Sequence, residues 1–233
     1  MANDQEKEAA ARASLRYVQD GQVVGLGTGS TAGHFIQLLG EQVKGGLRVR
    51  GIPTSVRSQE LALSVGIPLT TLDECQEIDV TVDGADEVDP QLRLIKGGGG
   101  AMLREKIVAS ATKQLVIVAD ASKQVPVLGK FPLPVEVIPF AQALVAKRIA
   151  ALGADVRSRV DGVGKLYVTD ERNHILDCHF GTIQDADKLA QALSAMPGIV
   201  EHGLTSSVVE YLNLKSRIEK RAPCLYKWTE LLD

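Results

Sequence analysis

Four consecutive glycines, Gly97, Gly98, Gly99 and Gly100, narrow what this chain can become more than any other feature. Glycine loses more backbone freedom on folding than any other residue, so a run of them belongs where the main chain must turn sharply or approach something closely. The run is entered from Leu92-Arg93-Leu94-Ile95, a short apolar stretch that delivers Lys96 to it, and is followed by a helix expected over residues 101–112 with Glu105 near its start. Upstream, Asp79-Val80-Thr81-Val82 reads as a buried strand that releases Asp83 and Asp86 across the Gly84-Ala85 step. Three carboxylates and a lysine thus gather where strands end. In an open parallel sheet that edge binds ligands, so the set suits acid/base chemistry on a small polar molecule. Each residue also has an ordinary structural use, since Asp and Gly make turns and Glu at a helix start meets the helix dipole. Asp79, Thr81, Asp83 and Gly84 imitate the opening of a calcium loop, but the twelfth position is Pro90, where that loop needs a bidentate Glu.

A second glycine-rich turn is Gly25-Leu26-Gly27-Thr28-Gly29-Ser30-Thr31, between a strand expected over residues 23–26 and a helix expected over residues 34–39. Such a turn forms a nest of N–H groups, here joined by the hydroxyls of Thr28, Ser30 and Thr31, that suits a phosphate. The segment from Gly27 to Ala32 also fits a loose dinucleotide fingerprint, which calls for an acid about 20 residues on, at the end of the next strand. That strand, expected over residues 48–52, ends instead in Pro53-Thr54-Ser55, and no Gly-Lys-Ser/Thr follows to make a P-loop. A phosphate monoester on a small metabolite is the better guest.

Helices over residues 4–19 and 58–65 and strands over residues 66–69 and 115–119 extend the alternation through Asp120. It predicts an α/β fold, a doubly wound, mostly parallel Rossmann-like sheet. Asp120, Ser122 and Lys123 follow the last of these strands, with Lys123 either a phosphate or substrate contact or a solvated lysine. At Phe131 the character changes. Pro132, Pro134 and Pro139 bracket Val135-Glu136-Val137-Ile138, which reads as an edge strand or a domain crossing. A helix over 142–152, strands over 166–169 and 175–179, a helix over 186–196 and a strand from Ile199 give the order of a smaller ferredoxin-like α+β domain. The expected division is 1–130 for the Rossmann-like catalytic domain, completed by 205–233, and 131–204 for the ferredoxin-like domain. Within the tail, residues 208–214 fit a strand or a helix equally well.

Charge excludes some partners. With 26 Lys plus Arg against 29 Asp plus Glu, a net charge of −3 offers no general attraction for nucleic acid or an anionic membrane. No apolar run approaches the ~18 residues that span a bilayer. Cys75, Cys178 and Cys224 are widely spaced without a CxxC pair, and His174 and His179 lack acidic or thiol neighbours at ligand spacing. Neither a disulfide framework nor a metal site is indicated, and a reducing cytoplasm fits.

Taken in order, Gly25-Leu26-Gly27-Thr28-Gly29-Ser30-Thr31, Asp83-Gly84-Ala85-Asp86, Lys96-Gly97-Gly98-Gly99, Arg104-Glu105-Lys106, Ala119-Asp120-Ala121-Ser122-Lys123 and the run from Gly129 to Val137 resemble the type A ribose-5-phosphate isomerase family. The resemblance implies interconversion of D-ribose 5-phosphate and D-ribulose 5-phosphate in the non-oxidative pentose phosphate pathway, in the cytoplasm, with no metal or cofactor. On matching positions it implies Glu105 as the base, Asp83 and Asp86 as substrate-hydroxyl and ring-opening groups, and Lys96 with the amides of Gly97, Gly98 and Gly99 as oxyanion stabilisers. Thr28, Gly29, Ser30, Thr31, Gly84, Ala85 and Lys123 would supply further substrate contacts, and the assembly would be a homodimer or homotetramer. The chain departs from the family after Gly203-Leu204, which runs into Thr205-Ser206-Ser207-Val208. A sugar-phosphate-binding module would need the phosphate turn but no base. An amino-sugar phosphate deaminase or a coenzyme A transferase of similar fold is the alternative among enzymes.

Overall fold

The structure, a computed structural model, describes residues 2–205, 216–220 and 225–230, the last two stretches as backbone. In chain order the elements are α1 (Ala2–Ser14), β1 (Val23–Leu26), α2 (Ser30–Lys44), β2 (Arg50–Pro53), α3 (Val56–Ser64), β3 (Val80–Gly84), β4 (Glu87–Val88), β5 (Leu94–Ile95), α4 (Met102–Ser110) and β6 (Gln114–Val118). They continue with β7 (Leu133–Val137), α5 (Gln142–Ala150), β8 (Asp155–Ser158), β9 (His174–His179), α6 (Ala186–Ser194), β10 (Ile199–His202), β11 (Leu204–Thr205), β12 (Ser216–Lys220) and β13 (Leu225–Glu230). The chain divides into two compact units, one of Met1–Gly84, Arg104–Ser122 and Val208–Asp233 and one of Ala85–Leu103 and Lys123–Ser207. Residues 85–103 and 123–130, which the sequence reading groups with the first domain, therefore fall in the second unit.

The first unit is built on a six-stranded sheet in the order β12-β13-β6-β3-β1-β2. The four strands β2, β1, β3 and β6 are parallel, and β13 and β12 add to the β6 edge antiparallel. Successive residues of a strand face opposite ways, and here both faces are apolar. Val24 and Leu26 join Phe35, Leu39, Val80, Val82, Val116 and Val118 in one core, whereas Val23 joins Ile52, Ile78 and Val108 in another. The α/β fold class expected from the alternation is the observed one. Three local expectations differ. Helix α1 ends at Ser14, whose buried hydroxyl donates to the Ala11 carbonyl at 2.7 Å, and the chain tightens into a 3-10 turn at Leu15–Tyr17. Residues 66–69 make a single bridge, Leu69 to Gly51, rather than a strand. Helix α2 begins at Ser30 rather than His34, because an apolar count starting at Phe35 overlooks hydroxyl residues that suit a first helical turn.

In the second unit an antiparallel sheet runs β10-β7-β9-β8, and the chain order β7-α5-β8-β9-α6-β10 is the ferredoxin-like arrangement. Leu133, Val135 and Val137 pack with Val145, Ile149, Leu176 and Leu193 in its core. A small sheet, β11-β5-β4, belongs to the same unit. Two strand readings are corrected. The partner of β9 is β8, not residues 166–169, which make only isolated bridges such as Val168 to His174. Asp155-Val156-Arg157-Ser158 is too polar to advertise a strand, while apolar Val160, Val163, Leu166 and Val168 are about half exposed or more. Strand β7 lies inside the sheet rather than at its edge, despite Pro134. The N and C=O of a strand residue face the same neighbour, and the Pro134 carbonyl accepts from Gly203 N–H, just past the end of β10, so the missing N–H removes no bond to β9. The tail reading for residues 208–214 lies outside the described residues.

Candidate active site

In the first unit, β1 and β3 are parallel neighbours whose ends carry the phosphate-type turn and Asp83. The approach is close enough to dictate glycine: a Cβ on Gly25 would lie 2.0 Å from Thr81 Oγ1, and one on Gly27 would lie 2.3 Å from Asp83 Oδ1 and 2.6 Å from Asp83 Cα. Asp83 is buried, and its Oδ1 accepts from Thr28 N–H at 3.1 Å and Gly84 N–H at 2.7 Å. Gly29 takes φ 117°, a left-handed conformation that favours glycine, and caps α2. The first intrahelical bond there runs from Gly33 N–H to the Gly29 carbonyl at 2.9 Å, so the preceding amides of Ser30, Thr31 and Ala32 are the ones a helix start can offer an anion. The Thr28 hydroxyl is held inside the fold, 2.8 Å from both Thr54 Oγ1 and Ser55 Oγ, and Ser55 closes a capping box with Ser58 at the start of α3. Ser30 is exposed and Thr31 largely buried. A cleft of about 290 Å³ opens beside this turn, lined among others by Thr28, Ser30, His34, Gln37 and Arg57.

In the second unit the hairpin of β4 and β5 places Asp86 beside the glycine run. Gly98 N–H donates to Asp86 Oδ2 at 2.7 Å, and a Cβ on Gly98 would lie 2.4 Å from Asp86 Oδ1. Gly97 takes φ 96° and Gly100 φ 80°, with Gly100 N–H closing a turn onto the Gly97 carbonyl at 3.0 Å. Lys96 is buried, and its N–H donates to the Gly203 carbonyl at 2.9 Å. Ala85 and Asp86 are half-buried, as is Lys123, whose ammonium lies 6.0 Å from the ring centroid of Phe131. Asp86 is thus held against the glycine run, Lys96 enters that run from β5, and Lys123 lies beside an aromatic ring.

Glu105 is in the first turn of α4 and only 3% exposed. The helix dipole there favours a carboxylate, and the residue has partners within the fold. Among the described residues no three His, Cys, Asp or Glu side chains group as metal ligands would.

Sequence reasoning misses the groups that brace the second loop. Arg159 Nη1 donates to the carbonyls of Gly97 at 2.9 Å and Gly98 at 3.2 Å, its Nε donates to Asp177 Oδ2 at 3.0 Å, and its Nη2 also donates to Asp177. Tyr167 lies over the same guanidinium, and its hydroxyl fills the place a Gly100 Cβ would take. Burial raises the Tyr167 pKa, with the charge of Asp170 adding. Buried Glu87 accepts from Gly129 N–H at 2.7 Å and Phe131 N–H at 2.6 Å, fixing a turn that the sequence shows only as conspicuous glycine and proline. Glu87 follows Asp86 directly and was findable by position. No local pattern points to Arg159.

The model of ribose 5-phosphate isomerase A (phosphoriboisomerase A) matches residues 50–216. Ribose-5-phosphate isomerase A of Parvibaculum lavamentivorans is 54% identical over 209 residues, covering 87% of this chain and 90% of the relative. That of Rhodopseudomonas palustris is 56% identical over 207 residues, covering 86% and 89%. Among solved structures, ribose 5-phosphate isomerase A of Methanocaldococcus jannaschii superposes with a TM-score of 0.87 at 38% identity, covering 98% of this chain and 100% of that one. A D-ribose-5-phosphate isomerase in complex with phospho-erythronic acid gives 0.86 at 38% identity, covering 89% and 93%.

Proposed function

The chain belongs to the ribose 5-phosphate isomerase A family, and from that premise we propose how its own residues divide the labour of the reaction. The protein is an aldose-ketose isomerase that interconverts D-ribose 5-phosphate and D-ribulose 5-phosphate. A hydrogen on carbon beside a carbonyl becomes acidic only when the developing oxyanion is stabilised, so the reaction needs a carboxylate base, a cation and N–H donors. In our reading Glu105 takes the proton from C2 of the open-chain aldose and returns it to C1, while a proton moves from the C2 oxygen to the C1 oxygen. Lys96 and the loop amides at Gly97 and Gly99 stabilise the enediolate between, while the Gly98 N–H holds Asp86 in place. Asp83 and Asp86, each oriented by a main-chain N–H, act on substrate hydroxyls and on ring opening. Thr28, Gly29, Ser30 and Thr31, with Gly84, Ala85 and Lys123, complete substrate binding.

The observation that carries this reading is the burial of Glu105 in the first turn of the helix that follows the glycine run. The ligand of the related isomerase supports it on chemical grounds, because a four-carbon aldonate phosphate presents a planar, charged carboxylate much like a planar enediolate. Glu105→Gln keeps the shape but cannot accept the proton. Its turnover number should fall by about 10²–10⁴-fold, and solvent deuterium exchange into the substrate should fall in parallel, with sugar-phosphate affinity little changed. Near-normal exchange would move the base elsewhere.

The same reading places the reaction in the cytoplasm as a step of the non-oxidative pentose phosphate pathway, consistent with Cys75 and Cys178 being free thiols. No described helix is long and apolar enough to cross a membrane. It also takes the protein as a homodimer or homotetramer. Ile138, Phe140 and Leu144 are exposed apolar residues that a second copy would cover, and sedimentation of Phe140→Ser against wild type reads whether the assembly loosens.

A further inference from the structure

We infer that Arg159 is a positioning residue, a guanidinium brace that aims the glycine-loop amides and Asp86 at the reacting sugar. The inference rests on the reading of that loop as the oxyanion and hydroxyl site. In a trans peptide the carbonyl of one residue and the N–H of the next point in opposite directions. Arg159 Nη1 grips the carbonyls of Gly97 and Gly98, which turns the N–H groups of Gly98 and Gly99 away from it. The Gly98 N–H then meets Asp86 Oδ2 at 2.7 Å, so one peptide plane is held between a guanidinium and a catalytic carboxylate. The Gly99 N–H, on the next plane, is directed by the second carbonyl contact at an exposed point of the loop.

Glycines need such a brace more than other residues, because nothing in their own stereochemistry prevents a peptide flip. The brace is itself anchored. The Arg159 side chain is 13% exposed, Asp177 takes the other edge of its fork, and Tyr167 covers its face. A fork that bonds a carboxylate along one edge and two carbonyls at one tip is a task for the rigid guanidinium, which a lysine ammonium cannot reproduce. Neither Arg159 nor Asp177 is placed on the substrate. They act through the loop.

The test uses the whole protein with variants Arg159→Ala, Arg159→Lys and Asp86→Asn and the double variant Arg159→Ala/Asp86→Asn. Arg159→Ala should lower the turnover number by about 10–100-fold with the Michaelis constant within about threefold, the pattern of a lost transition-state interaction. Added methylguanidine should restore at least several-fold of that loss, and Arg159→Lys should stay close to Arg159→Ala. The double variant should lose less than the product of the single losses, because both act on one peptide plane. Independently of turnover, amide exchange at Gly98 should accelerate by about tenfold or more in Arg159→Ala while exchange in β6 is unchanged. Unaltered Gly98 exchange, or an activity loss that follows the folded fraction and resists methylguanidine, overturns the brace. Faster Gly98 exchange in Arg159→Ala, together with a wild type that does not isomerise the sugar, would keep the brace and remove the functional reading instead.

Discussion

At Gly27 the atoms nearest an added Cβ would be the side chain and the Cα of Asp83, whereas at Gly98 they would be the carboxylate of Asp86. Both glycine-rich turns thus pack a glycine against an aspartate that accepts a main-chain N–H, from Thr28 in one and Gly98 in the other. Their support differs. The first turn is part of the sheet, carried by adjacent parallel strands, tied by Gly27 N–H to the Val82 carbonyl at 3.0 Å and stitched to α3 by hydroxyls. The second hangs between a two-residue strand and a helix, and is held from outside by a charged side chain 62 residues away in sequence. Stability and geometry are coupled in the first turn and separable in the second.

Substitutions at the two glycines sharpen that contrast most. Gly98→Ala should lower the turnover number by about 10²-fold, the effect of misplacing a catalytic group by around an ångström, with little change in melting temperature. Gly27→Ala must displace backbone, so it should also destabilise the fold by about 1–3 kcal/mol. Melting curves beside a coupled ketose assay separate the two, and equal losses of melting temperature would erase the distinction. Thr28→Val comes next. It removes a hydroxyl bonded to Thr54 and Ser55 and should cost about 1–3 kcal/mol of stability by denaturant titration, whereas a Thr28 that serves only substrate would leave stability untouched.

Smaller effects belong to the mouth of the first turn. Ser30→Ala and Thr31→Ala each remove a donor but keep the amides, so each should raise the Michaelis constant by about 2–10-fold with the turnover number nearly constant. A fall confined to the turnover number would bring this turn to the reacting carbons. The smallest effect tests the second unit away from its loop. Burial pushes the Glu136 pKa up, against hydrogen bonds from Asn173 and Thr169 that lower it, and Glu171 and Glu201 push it further up. A carboxyl whose folded pKa is raised contributes most below its unfolded pKa, and that contribution is lost as pH rises through the folded value. Glu136→Gln should therefore raise the melting temperature at neutral pH, by about 2–4 °C for each kcal/mol relieved, with the gain shrinking as pH falls into the carboxylate range. Turnover in the same variant should be unchanged.

Legibility in the sequence follows the same divide. The parallel sheet was readable because β1, β3 and β6 are short apolar runs followed by polar turns, a pattern each strand carries by itself. Asp83, Asp86, Lys96 and Glu105 stand out as candidates on equally local grounds, the first three beside the ends of short apolar runs and Glu105 near a helix start. Strand β8 was not, since its residues are largely exposed and their pairing with β9 is set by tertiary context rather than by alternation. Arg159 and Asp177 were silent for a related reason. An arginine beside a serine on a polar stretch has no local signature, and its meaning lies in two carbonyl groups far away in the chain. Pro134 misled because a proline reports only that one N–H is missing, not whether that N–H had a partner to lose.

The antiparallel addition of β13 to β6 has a consequence during synthesis. All four parallel strands have been made by Val118, but the strand that covers the β6 edge begins only at Leu225, after the whole ferredoxin-like unit. At roughly 5–20 residues per second, translation of the intervening stretch takes on the order of 5–20 s. Through that interval the nascent sheet presents an open row of N–H and C=O groups on an apolar strand, the kind of edge that recruits other chains. Ribosome-bound chains stalled before Leu225 should bind holding chaperones and form mixed aggregates more readily than chains released after Glu230.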